Sequence, residues 1–155
     1  MRILLRYGKK EEGSVLVVAL LILVLLTIIG LAATNTSKIE LNISGNEKLH
    51  KMAFYAAEAS RAYVAKRTDL YGPDNVTVGA WLDFPDRGNP SVKYNLGPSQ
   101  SFNGRVAYLG SSVPPRGSGT QVGIFKAHRY RMTCYGYGPS NAESRIEAGF
   151  YRLGF

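Results

Sequence analysis

Two histidines, a single cysteine and eleven aspartates and glutamates carry most of the acid–base, nucleophilic and metal-binding capacity of this 155-residue chain. His50 and His128 lie far apart in sequence, and neither stands in a His-Glu-x-x-His or Cys-x-x-Cys ligand set. No glycine-rich loop has phosphate-binding spacing. Cys134 is alone, so an internal disulfide is ruled out. Its alternation with Tyr130 and Met132 reads as a buried strand position rather than a reactive thiol. Asp83 and Asp86 fall close together in a proline-rich turn, where a capped turn is the plainer reading and a weak calcium site the sharper one. Arg129, Arg131 and Tyr135 share one strand face, a composition able to stack on single-stranded nucleic acid. It is equally ordinary for an exposed sheet, and nucleic acid is set aside as a partner on that ground. No nucleophile–base pair is available. The residues point away from an enzyme and call for no cofactor or metal.

The element that must position everything else is the stretch from Gly13 to about Lys66. From Val15 to Ala33 there is no charge, and only Thr27 is polar. At about 1.5 Å per residue a helix of that length spans roughly 28 Å, close to the ~30 Å hydrocarbon core of a bilayer. A soluble surface helix would show a polar stripe, and none is visible. Ahead of this run, Arg2, Arg6, Lys9 and Lys10 outnumber Glu11 and Glu12, which holds that end in the cytoplasm and places the remainder outside. Three readings of the run compete. Gly30-Leu31-Ala32-Ala33 could pass as the cleavage site of a secretory signal. The run could be a plain single-span anchor. It could also stay with a mature protein that is cut ahead of it.

Beyond Ala33 the pattern turns amphipathic without a proline. Ile39–Ile43, Leu49–Met52–Ala56–Ala59 and Tyr63 recur at three- and four-residue intervals, with Phe54 and Val64 among the further apolar positions. Glu47 and Lys51 form a helical i,i+4 pair. Ser44-Gly45-Asn46 is the weak point, read as a kink, a local melt or a tolerated glycine. Tyr71-Gly72-Pro73-Asp74 stops the helix. The period then changes to two. Val76–Val78 with Trp81 and Leu82, Val92–Leu96 and Gly104–Leu109 are strand candidates, and 110–123 reads as an exposed loop. His128–Tyr137 and Ser144–Arg152, joined through Gly138–Ala142, predict an antiparallel hairpin. Its inner faces are Tyr130, Met132, Cys134 and Ile146, Ala148, Phe150. The formal charge of +8 implies either an acidic partner or plain solubility, and no basic cluster exceeds three or four residues.

A long helix, apolar then amphipathic, followed by an antiparallel sheet resembles the plan of a type IV pilin. The run Gly13-Ser14-Val15-Leu16-Val17-Val18, the stretch Gly30–Ala33, Gly45-Asn46, and Ala53-Phe54-Tyr55-Ala56-Ala57-Glu58-Ala59 are similar to the N-terminal domain of the PilX-like minor pilins. His128–Gly138 with Glu147–Arg152 resembles that family's closing hairpin. The resemblance implies that a prepilin peptidase cuts between Gly13 and Ser14 and that Ser14 is N-methylated. It makes Gly45, Asn46, Ala53, Phe54, Ala57 and Glu58 the helix family motif. Two departures stand out. Glu11-Glu12 precede the cleavage glycine where a basic residue is usual, and Val18 takes the fifth mature position, where major pilins carry glutamate. An ionised carboxylate in hydrocarbon costs several kcal/mol unless paired, so a subunit that enters a filament first does better with an apolar residue there. The alternative is that Val18 is just another lipid-facing residue.

The resemblance thus implies an α+β type IV pilin fold: a leader over 1–13, an N-terminal helix over 14–67 (transmembrane 15–33, amphipathic 34–67) and a β-rich head over 68–155. The expected function is that of a minor pilin, priming filament assembly at or near the tip, with roles reaching to cell adhesion. The implied partners are other minor and major pilins, the prepilin peptidase, an inner-membrane assembly platform and a tip adhesin. The implied location is the inner membrane, with the head in the periplasm, and the pilus filament. The loop 110–123 is the expected variable surface, and Glu58 the side chain able to meet a partner pilin's basic residue. Competing readings are a minor pseudopilin of a type II secretion system, though the member of that group lacking the glutamate carries a larger head, and a membrane-tethered module binding DNA or polysaccharide. A membrane-bound hydrolase lacks a nucleophile–base pair.

Overall fold

The computed structural model describes residues 12–72, 75–121 and 123–154. The expected leader therefore lies outside the described residues up to position 11, as do Pro73 and Asp74 of the expected helix stop. The elements in order are α1 (Glu12–Lys66), α2 (Thr68–Tyr71), β1 (Trp81–Phe84), β2 (Tyr94–Gly97), β3 (Gln100–Ser112), β4 (Lys126–Tyr137), a 3-10 turn (Pro139–Asn141) and β5 (Glu143–Gly154). The chain divides into two units between Gly45 and Asn46. Helical backbone runs through Gly45, so the glycine is tolerated and neither breaks nor melts the helix.

In the first unit every residue from Gly13 to Gly45 is exposed. The uncharged run is helical because leucine and alanine are strong helix formers and nothing in it breaks the pattern. The hydroxyls of its outer part turn inward on the helix itself: Thr27 Oγ1 donates to the Val24 carbonyl at 2.7 Å, Thr34 Oγ1 to Gly30 at 2.8 Å and Thr36 Oγ1 to Ala32 at 3.1 Å. Thr27, the one polar side chain between Val15 and Ala33, thus needs no partner in hydrocarbon. Ile39 and Ile43 of the amphipathic pattern are each 60 % exposed in this unit.

The second unit is a helix on a five-stranded antiparallel sheet. Strand order is β1-β3-β4-β5, with β2 also paired to β3. The alternation in β4 sends Tyr130, Met132 and Cys134 into the core, where they join Val64, Leu70, Phe84, Phe102, Val106 and Tyr108. Ile146, Ala148 and Phe150 pack against that core from β5, as the hairpin pattern predicts. The hairpin closes through a tight turn: Ala142 N–H donates to the Pro139 carbonyl at 3.1 Å, and Ser140 and Asn141 both take positive φ, 54° and 59°. Two positive φ values in a row match the right-handed twist of the flanking strands.

Four expectations are corrected here. Val76–Val78 is not a strand. Ala80 N–H donates to the Thr77 carbonyl at 3.1 Å and Gly79, at φ 80°, donates to Tyr108 at 2.9 Å, so the segment turns to reach β3 and leaves both valines exposed. The Val92–Leu96 candidate is displaced to Tyr94–Gly97, and the loop after β3 begins only after Ser112. Asp83 and Asp86 do not share one turn, because Asp83 is a β1 residue opposite Arg105 while Asp86 follows the cis Phe84–Pro85 bond.

The inner face of the helix keeps Ala56 of the apolar stripe, with Ala59 and Tyr63 packed against the core, but centres on small side chains. The fully buried positions are Ala53, Ala56, Ala57, Ser60 and Val64, whereas Phe54 is 41 % exposed. The cause is on β4. Gly136 and Gly138 let the helix backbone come down onto the strand, and a Cβ at Gly136 would overlap the Ala53 carbonyl oxygen and the Ala57 amide nitrogen. Only small side chains fit that seam. Ser60 Oγ is buried there and, although it faces the Cys134 thiol, falls short of hydrogen-bond geometry with any described group. A buried hydroxyl without a partner costs about 1–3 kcal/mol. Ser60→Ala should therefore raise stability by about 1 kcal/mol, read as a higher urea midpoint of the detergent-solubilised protein; a lower midpoint would contradict the seam.

Candidate functional site

The first candidate surface is the apolar run itself. From Val15 to Leu31 each valine, leucine and isoleucine is between 43 and 68 % exposed, around the whole circumference of the helix. The helix is long and apolar enough to cross a membrane by length and composition. Such a surface in water would cost tens of kcal/mol at about 25 cal/mol per Å² of apolar area, which is consistent with membrane anchoring. Val18, 53 % exposed, lies within this surface, and Gly13 and Ser14 form its first turn with open space around the glycine.

The helix motif splits between two environments. Ala53 and Ala57 are in the buried seam, while Phe54 points outward, its ring 5.9 Å from that of Tyr55 in an edge contact. Asn46 is exposed and Gly45 has nothing within 4 Å of its missing Cβ. Glu58 is held within its own helix, its Oε2 accepting from Arg61 Nε at 2.9 Å and lying 2.8 Å from Arg61 Nη2. Glu47 and Lys51 pair at 2.7 Å as the spacing predicts, and the contact lowers the glutamate pKa and raises that of the lysine.

Where α1 ends, a charged knot holds the turn into α2. Arg67 donates through Nε and Nη2 to both Asp69 carboxylate oxygens at 2.8 Å, and through Nη1 to Tyr63 Oη at 2.6 Å. Arg87 adds a donation to the Asp69 carbonyl oxygen. The Arg67 guanidinium holds the Asp69 carboxyl below its ordinary value. The folded state therefore keeps this charge where the unfolded chain takes up a proton, and the stabilisation is complete above about pH 5 and lost as pH falls below about 4. Both groups are about a third exposed, which limits the contribution to under about 1 kcal/mol. Asp69→Asn should flatten the acid limb of a urea-midpoint profile between pH 2.5 and 7; an unchanged limb would remove the knot from the account.

The residues first weighed for chemistry do not converge. His50 is exposed on α1, and His128 Nδ1 lies 3.0 Å from Tyr108 Oη on the sheet. Cys134 is buried at 0 % exposure, and burial pushes its thiol pKa up. Among the described residues no three histidine, cysteine or carboxylate side chains are grouped to hold a metal. Sequence reasoning missed Gly136, a glycine inside the strand, and Gly138, just past its end, and it missed the placement of Arg105.

Residues 12–61 match the family model described as PilX N-terminal. No curated protein and no solved structure matches the chain. The matched stretch takes in the apolar run and most of the small-residue seam, on a helix-and-sheet arrangement of pilin type. Residues 12–61 thus resemble a PilX N-terminal region, which is consistent with a PilX-like, type IV pilin-like protein.

Proposed function

We propose that this chain is a minor pilin of the type IV pilus that primes filament assembly and sits at or near the tip. The observation that carries the reading is the coincidence of the PilX N-terminal match with a helix apolar around its whole circumference. In the inner membrane lipid covers that surface, with the head in the periplasm. In the filament the helices of neighbouring major and minor pilins replace lipid. Val18 supports early entry, because a subunit without a neighbour's amine to pair with is better served by valine than by a buried carboxylate. Prepilin peptidase cleaves between Gly13 and Ser14, and Ser14 is then methylated. The role is assembly and not catalysis.

Co-expression with a prepilin peptidase tests the processing step. Intact-mass measurement should show loss of residues 1–13 and one added methyl group. Mass spectrometry of sheared surface filaments should then find the chain at low abundance relative to a major pilin. A protein that still begins at Met1, or that begins beyond Ala33, overturns the reading.

A further inference from the structure

The face of the sheet turned away from the helix carries a pattern that strand register alone creates. Because Tyr130, Met132 and Cys134 enter the core, Arg129, Arg131, Thr133 and Tyr135 of β4 share the opposite face. Directly opposed residues of antiparallel strands lie on one face. Arg105 of β3 is opposite Thr133, Arg145 of β5 is opposite Tyr135, and Tyr151 of β5 is opposite Arg129. Arg129, Arg131, Arg105 and Arg145 therefore occupy four successive levels along β4. At about 3.3 Å per residue these levels are roughly 6.6 Å apart, so the row is about 20 Å long. Lys93, 3.3 Å over the Tyr137 ring, prolongs it.

The acidic groups on this face lie from the Thr133 level, where Glu147 is directly opposite Thr133, to the Tyr137 end. Asp83 is opposite Arg105, Glu147 is paired with Arg145, and Glu143 is opposite Tyr137. Arg129 and Arg131 have no carboxylate opposite them: their partners across the strands are Tyr151, Gly149, Gly110 and Ala107. Beside Arg129 lies an apolar hollow of about 320 Å³, lined by Leu109, Pro115, Ala127, Gly149 and Tyr151 among others. Tyr151 is 55 % exposed, so one of its sides is open to this space. The other aromatic rings of the row are already covered by cations: Arg105 stands 4.4 Å over Trp81, and Arg145 lies 5.7 Å from Tyr135.

We propose that this face binds a single strand of nucleic acid, with a base in the hollow against Tyr151 and the phosphates along the arginine row. The proposal does not rest on the pilus reading. Regularly spaced cations suit any linear polyanion, but an apolar hollow with an exposed aromatic wall suits a flat ring that stacks. An acidic polysaccharide would use the arginines and leave the hollow empty.

Fluorescence anisotropy tests this with the full chain in uncharged detergent and a labelled oligothymidylate of about 16 nucleotides. Arg129→Ala with Arg131→Ala should weaken binding at least tenfold. Lys48→Ala with Lys66→Ala, which removes the same charge from the helix, should change it less than twofold. The slope of log K against log salt should be about −3 for four phosphate contacts and about half that for the arginine pair variant. Tyr151→Ala should cost about fivefold or more for the oligonucleotide and nothing for alginate, used as the polyuronate competitor. Equal losses in the arginine and lysine variants would overturn the site. Alginate binding as tight as the oligonucleotide's, with both indifferent to Tyr151→Ala, would assign the face to polysaccharide instead. Absence of binding at low salt would also overturn it.

Discussion

Gly136→Val should be the most damaging single substitution in the head, lowering stability by about 3 kcal/mol or more. At this position a Cβ would overlap backbone atoms of Ala53 and Ala57 and come within 2.9 Å of the Ala56 carbonyl carbon. No flexible side chain can move aside, so the helix must lift from β4. Lifting it uncovers Ala53, Ala56, Ala57 and Val64 together, all at 0–1 % exposure. A melting temperature lower by about 10–15 °C is expected, at roughly 4 °C or more per kcal/mol for a domain of this size. Gly149→Ala is the control, since its Cβ would meet only the Tyr130 carbonyl oxygen, at an ordinary 3.7 Å. It should leave the melting temperature within about 2 °C. Equal shifts for the two glycines would mean that strand propensity, and not close approach, explains both.

Phe102→Ala is the second. The ring is 1 % exposed and joins two parts of the head: it stacks on Tyr94 at 5.1 Å between centroids and meets Tyr63 of α1 edge-on at 5.4 Å. Tyr63 in turn lies 6.0 Å from Phe84. Truncation removes the shared partner of two aromatic rings and leaves a cavity that the rigid sheet cannot close, so about 3–5 kcal/mol should be lost. Phe102→Leu should fall between wild type and alanine. The measurement is the free energy of urea unfolding for the three proteins. A cost near 1 kcal/mol for the alanine variant would show that Tyr63 and Tyr94 collapse into the space.

Both predictions concern contacts that no local pattern announces. The apolar stripe Leu49–Met52–Ala56–Ala59–Tyr63 lies on or beside the inner face, yet the most buried positions also take in Ala53, Ala57, Ser60 and Val64. The helix face is chosen by the strand beneath it, where Gly136 and Gly138 let backbone approach backbone. Likewise, Val76 and Val78 alternate as a strand should, but the backbone of β3 captures Gly79 and turns the segment. Alternation records what a residue could do, while pairing partners decide what it does.

Some of the molecule was legible without any fold. The apolar stem follows from length and composition, because nineteen uncharged positions in a row leave a helix no polar face to offer water. The closing hairpin follows from period-two alternation on both sides of a short polar turn, which is equally local. The inner face of the helix, the knot of Arg67, Asp69 and Arg87, and the arginine row across three strands were decided only by the tertiary structure. Each depends on register or close packing between residues distant in sequence, and those distances are set by the fold as a whole.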